Sequence, residues 1–107
     1  MGYNKTMYTL IETEAYAAWF AGLRDRQAKA RILVRLRRVE MGNLGDHKSV
    51  GEGVAELRLT VGAGYRIYYT LRNGEVIILL GGGDKSSQST DIEQAKALLE
   101  LIKKEAP

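Results

Sequence analysis

The sequence predicts an α+β domain: a small antiparallel β-sheet with helices packed on one face, in the order β-α-α-β-β-β-α. Three patterns carry that expectation. Apolar residues recur at helical spacing in three stretches, the period switches to two after Val54, and an Asn-Gly pair separates two apolar runs. A length of 107 residues suits one domain with a single packed core.

Residues 7–12 (MYTLIE) are rich in β-formers and read as the first strand. Thr13 is placed to cap a helix over 14–23, with Tyr16, Trp19, Phe20 and Leu23 on one side. Asp25 caps a second helix over 26–41, where Ala28, Ile32, Leu36 and Val39 form one apolar stripe. Helices joined so briefly form an antiparallel pair. Residues 41–53 (MGNLGDHKSVGEG) hold four glycines and no period, so they are expected to be a loop.

In 54–61 (VAELRLTV), Ala55, Leu57, Leu59 and Val61 face one side, and Glu56, Arg58 and Thr60 the other. Gly62-Ala63-Gly64 turns the chain. In 65–71 (YRIYYTL), Tyr65, Ile67, Tyr69 and Leu71 alternate with Arg66, Tyr68 and Thr70. Asn73-Gly74 predicts a two-residue type I′ turn. Residues 76–80 (VIILL), apolar on both faces, read as a central strand. Thr90 or Asp91 then caps a helix over 91–104, with Ile92, Ala95, Leu98, Leu99 and Ile102 on its apolar side.

The turns set registers. A two-residue turn at Asn73-Gly74 pairs Arg72 with Glu75, which puts Tyr68 opposite Leu79 and Arg66 opposite Gly81. In the preceding hairpin the alternation requires Leu57 and Leu59 to share a face with Ile67 and Tyr69. The short turn then favours Arg58 opposite Tyr68 and Thr60 opposite Arg66. A one-residue slip would bury both arginines, which fixes the parity.

On the face away from the helices this gathers Arg58, Arg66 and Tyr68, with Gly81 as open floor beside them and Lys85 a few residues on. The set suits a phosphodiester. Arginine presents a planar fork to non-bridging oxygens, a lysine neutralises developing charge, and a tyrosine stacks on a base or moves a proton. The plain alternative is a solvated strand face, with Arg58 paired to Glu56 or Glu75.

Charge is uneven along the chain. Residues 1–39 carry eight Lys/Arg against three Asp/Glu, and residues 40–107 carry eight against ten. The second helix concentrates the excess, Arg31, Arg35 and Arg38 included, as a basic stripe. That stripe is either a grip on nucleic-acid phosphates or a solvated helix face. His47, beside Lys48 in the glycine-flanked loop, is the one side chain whose ordinary pKa suits acid–base work near neutrality.

Several classes are excluded. The chain has no cysteine and one histidine, which rules out a disulfide framework and argues against a zinc site; no metal ligand set and no cofactor is expected. Residues 81–86 lack the spacing of a nucleotide-triphosphate loop, and Ser86, Ser87 and Ser89 lack a second histidine for a triad. The five-residue run VIILL is far short of the roughly 20 residues of a membrane span, and the N-terminus has no apolar leader segment. A cytoplasmic protein is expected, with residues 1–6 a disordered extension or tag remnant and 7–107 the single domain.

The stretch GNLGDHKSVGEGVAELRLTVGAGYRIYY and the later LLGGGDKSSQSTDIEQAKAL resemble the RelE/ParE superfamily of type II toxin–antitoxin toxins. The addiction-module killer proteins related to HigB are the nearest branch. The resemblance implies a RelE-like fold and a small toxin neutralised by a cognate antitoxin. It implies partners in the ribosome and messenger RNA, and in operator DNA only as part of the toxin–antitoxin complex. It implies an endoribonuclease in which the ribose 2′-OH attacks the adjacent phosphate without a metal. Arg66 matches the arginine for the scissile phosphate and Arg58 a strand supplying further basic residues, while Lys85 and Gln88 fall in the late-strand catalytic segment. The basic helix matches the surface that grips ribosomal RNA, with His47 and Lys48 as further RNA contacts. Residues 81–91 carry neither the tyrosine nor the histidine usual there, so Tyr68, Lys85 or His47 is left to fill that role. ParE-type members poison DNA gyrase instead, and a degenerate toxin retained as co-repressor is a third possibility.

Overall fold

In the computed structural model, which describes residues 7–105, β1 (Thr9–Glu12) leads into α1 (Glu14–Gly22) and α2 (Arg26–Glu40). Strands β2 (His47–Gly51), β3 (Val54–Arg58), β4 (Arg66–Arg72) and β5 (Val76–Gly83) follow. A 3₁₀ turn (Lys85–Ser87) then runs into α3 (Gln88–Glu105). The extension expected over residues 1–6 lies outside the described residues. Among these, no helix is long and apolar enough to cross a membrane.

The first two caps do what the sequence suggests, whereas Thr90 and Asp91 cap nothing: α3 already begins at Gln88, directly off the 3₁₀ turn, and holds both residues inside it. Thr13 Oγ1 accepts from Tyr16 N–H at 3.2 Å, which starts α1, and donates to the Leu79 carbonyl at 2.8 Å, which ties that start to β5. The Asp25 carboxylate accepts from Ala28 N–H at 3.0 Å and starts α2, whose Ala28, Ile32, Leu36 and Val39 are all buried.

Four further expectations are corrected. The loop expected over 41–53 contains β2, so the order is β-α-α-β-β-β-β-α. This strand pairs antiparallel with β3 at the sheet edge, where its residues are mostly exposed and therefore show no apolar alternation. Secondly, the sheet is mixed. Its strand order is β1-β5-β4-β3-β2, and β1 runs parallel to β5.

Thirdly, helices cover both faces. Ile77 and Leu79 of β5 join Leu57, Ile67 and Tyr69 under α1 and α2. Ile78 and Leu80 join Val54 and Tyr68 against Ala95 and Leu99 of α3. Burial of both sides of VIILL demands this third helix, because each fully covered aliphatic side chain contributes roughly 1.5–3 kcal/mol.

Fourthly, the registers shift. Asn73 and Gly74 do have positive φ, and Glu75 N–H donates to Arg72 O at 3.1 Å, the hand of turn expected. The Glu75 carbonyl, however, accepts from Thr9 N–H at 2.9 Å, and the β4–β5 ladder starts at Arg72 opposite Val76. A bulge after Leu79 then brings Tyr68 opposite Gly81 and Arg66 opposite Gly83. Between β3 and β4 the parity is as derived, but displaced by two residues: Arg58 lies opposite Arg66, and Glu56 opposite Tyr68.

Gly82 and Gly83 are packing surfaces. A β-carbon on Gly82 would run into the Trp19 indole, and one on Gly83 into the Asp91 carboxylate.

If α3 closes a second core, Leu99→Ala, at a site 4% exposed, lowers stability by about 2–5 kcal/mol. Urea denaturation checks this. A change below about 0.5 kcal/mol would mean that α3 is a loosely attached surface helix.

Candidate functional site

The loop between β3 and β4 forms the floor of a cleft of about 490 Å³, whose charged lining is Asp46, Arg58, Arg66 and Lys85. Each arrives for a local reason. Arg58 ends β3 and Arg66 begins β4, directly opposite each other in the ladder. Lys85 follows β5, and its N–H donates to Ala63 O at 3.4 Å. Its aliphatic stem lies across Gly64, where a β-carbon would come within 2.8 Å of it. Gly64 also has a φ of 77°. Only glycine meets both conditions without strain.

Asp46 completes the rim. Its carboxylate accepts from Arg58 Nη2 at 2.9 Å, and that bond holds its pKa below the usual carboxylate range. Arg66 Nη1 donates to Gly64 O at 3.3 Å. Behind the arginines lies Glu56, 1% exposed, with Oε2 3.9 Å from Arg58 Nε and 3.7 Å from Arg66 Nε. The Gln88 amide donates to its other oxygen at 3.3 Å. Two guanidiniums and an ammonium at one opening suit a tetrahedral oxyanion.

The other candidates are placed differently. Tyr68 is 0% exposed, because α3 covers the face that the alternation had left open, and its hydroxyl has no hydrogen-bond partner among the described residues. Burial, then the Glu56 charge, pushes its pKa up to about 12. A phenol so placed offers no surface for base stacking. His47 is exposed on β2, with Nδ1 2.8 Å from Gly45 O, and pairs with Leu57, so it belongs to the sheet face opposite Glu56. Lys48 is exposed across from Glu56 on the same edge strand. Neither lines the cleft.

Arg35 has a structural task. Its Nε donates to Leu44 O at 3.0 Å, Nη1 to Arg58 O at 2.8 Å and Nη2 to Asp46 O at 2.6 Å. It thereby clasps the segment before β2 to the end of β3. Arg31, Arg35 and Arg38 line a second cleft of about 470 Å³, which shares Leu59 and Thr60 with the first. The two basic regions are thus neighbours around one corner of the sheet.

Sequence reasoning missed Asp46 and the buried Glu56 as members of the site. Glu56 was legible in part, since Glu-Leu-Arg puts it on the Arg58 face. Its burial followed only from the position of α3.

Two comparisons bear on this site. The profile of the family described as phage derived protein Gp49-like (DUF891) matches residues 18–103. The chain is also 48% identical over 90 residues to an uncharacterized protein of Haemophilus influenzae, across 84% of this chain and 91% of that one.

Two outcomes are expected. Asp46→Asn removes the anion that competes for Arg58, so a small polyanion such as pyrophosphate binds about two- to fivefold tighter, by isothermal titration calorimetry at low salt. Unchanged affinity would mean that Arg58 does not meet the anion. Tyr68→Phe stabilises the fold by up to about 1 kcal/mol in urea denaturation, because the hydroxyl it removes is buried and has no hydrogen-bond partner among the described residues. Tyr68 has a folded pKa of about 12 against an ordinary 10, so the stability it contributes is full below pH 10 and is lost as pH rises towards 12. Alkaline denaturation of the Phe variant is correspondingly less steep.

Proposed function

The chain belongs to the phage-derived Gp49-like family, and from that premise we propose that it is the toxin of a type II toxin–antitoxin pair, acting as a ribosome-dependent mRNA endonuclease. The observation that carries this reading is the cleft at which Arg58, Arg66 and Lys85 converge on one opening. A family of toxins implies an antitoxin partner, a protein that binds the chain and silences it.

In this mechanism the cleft holds one phosphodiester of the messenger. The ribose 2′-oxygen forms a bond to phosphorus while the bond to the 5′-oxygen breaks, giving a 2′,3′-cyclic phosphate and a 5′-OH end. One proton leaves the 2′-OH and one reaches the departing oxygen. Arg58 and Arg66 grip the non-bridging oxygens, and with Lys85 they stabilise the charge that builds on them. Asp46, held acidic by Arg58, is a weak base, so most of the acceleration comes from positioning and charge. The basic residues of α2 beside the second cleft extend the grip to neighbouring phosphates.

A second reading, a ParE-like inhibitor of DNA gyrase without nuclease activity, draws on one observation. Tyr68 is buried and His47 stands on the other face, so the cleft has no neutral proton donor of the usual kind.

Brief induction without antitoxin, wild type beside Arg66→Ala, separates the two. Mapping of mRNA 5′ ends is expected to show new 5′-OH ends within translated frames, reduced about 10²- to 10³-fold in the variant. Growth arrest with intact mRNA would overturn the nuclease reading in favour of gyrase. Absence of arrest from a folded, expressed chain would leave a co-repressor.

A further inference from the structure

Glu56 is a buried carboxylate with no part in the reaction described above. It lies on β3 between two arginines that face each other across the ladder, a like-charge pairing that a sheet otherwise disfavours. Its Oε2 is almost equidistant from the two Nε atoms, at ion-pair distances of 3.9 and 3.7 Å, and those buried Nε–H groups make no hydrogen bond among the described residues. Its Oε1 is engaged by Gln88, the first residue of α3. One carboxylate is therefore shared by two guanidiniums at their inner edges, and it is pinned from the far side by a helix. The outer nitrogens, Arg58 Nη2 and Arg66 Nη1, make their bonds at the cleft, to Asp46 and to the Gly64 carbonyl.

We infer that Glu56 is the positioning residue of this site: it holds Arg58 and Arg66 by their inner edges so that their terminal nitrogens present a joint fork to one phosphate. The inference rests on the reading of the cleft as a phosphodiester site. It assigns Glu56 no proton transfer, since the carboxylate is 1% exposed and stands behind the arginines. It also assigns Gln88 a place one step further back, as the group that orients Glu56.

Charge and positioning make opposite predictions here. Loss of a negative charge beside two arginines makes the cleft more positive, so electrostatics alone predicts that Glu56→Gln binds RNA more tightly and cleaves at least as fast. Loss of positioning predicts binding retained and cleavage slowed, because the fork no longer matches the transition state.

The test is single-turnover cleavage of a labelled mRNA on programmed ribosomes, with affinity measured separately on the same mRNA carrying 2′-deoxy residues. For Glu56→Gln the expected result is an affinity within about twofold of wild type and a cleavage rate at least about tenfold lower. Glu56→Asp, which keeps the charge but retracts it by one methylene, should fall between the two. It carries the test if the Gln variant does not fold. Nitrogen-15 spectra give a readout independent of activity: the Nε–H signals of Arg58 and Arg66 exchange slowly with water in the wild type and rapidly in the variants. Wild-type cleavage rates with unchanged Nε–H signals overturn the inference. So does a loss of cleavage that merely follows a loss of binding. If the wild-type chain cuts nothing, the nuclease reading fails instead, while the Nε–H signals still report whether Glu56 holds the arginines.

Discussion

Strand β5 has to bury both of its faces, and most of the structure follows from that. Ile77 and Leu79 require a layer on one side and Ile78 and Leu80 a layer on the other, so α1 and α2 are not enough. The chain supplies α3, and the 3₁₀ turn at Lys85–Ser87 is the short path that reverses direction into it. Because β5 is followed so closely by a helix that must return across the sheet, Lys85 is brought beside the β3–β4 loop. The cleft lined by Arg58, Arg66 and Lys85 therefore forms at the corner where the demands of two cores meet.

That corner has an electrostatic problem as well as a packing one. Two arginines face each other at the sheet end, next to a second core that cannot solvate them. Burying Glu56 between them offsets the repulsion and spares each guanidinium from standing alone, and breaking such a buried arrangement costs more than its intact form contributes. Arg35 takes a similar part in the backbone, tying the carbonyls of Leu44, Asp46 and Arg58 together so that the end of β3 and the segment carrying Asp46 move as one piece. The side chains that face solvent at the cleft are held by others that do not.

Much of the first core was legible in the sequence. The Ala28, Ile32, Leu36, Val39 stripe, the Thr13 and Asp25 caps and the inward face of β3 and β4 follow from spacing, because spacing is set by local geometry alone. The edge strand β2 was not legible, since a strand with little to bury carries no alternation. Nor was the side on which α3 packs. An amphipathic helix shows that it has a partner but not which face of the sheet that partner is. From that single ambiguity came the exposed Tyr68 and the one-sided sheet. The registers were missed by small margins for a similar reason: a bulge at Leu80 and a carbonyl claimed by β1 are tertiary events. Of the site, Arg58, Arg66 and Lys85 were found together from parity and proximity, whereas His47 and Tyr68 were drawn in by their chemistry and stand elsewhere.

Of the three glycines at 81–83, Gly82 lies under the Trp19 indole and Gly83 against the Asp91 carboxylate. Each glycine is thus the complement of a particular side chain on a particular helix, one on α1 and one on α3. Their freedom to change over evolutionary time is consequently not their own. A larger residue at 82 requires a smaller one at 19, and a larger residue at 83 requires a different one at 91. Drift at 82 and 83 can proceed only through paired exchanges that leave the approach to Lys85 undisturbed, a constraint that Gly81, with open space where a β-carbon would stand, does not share.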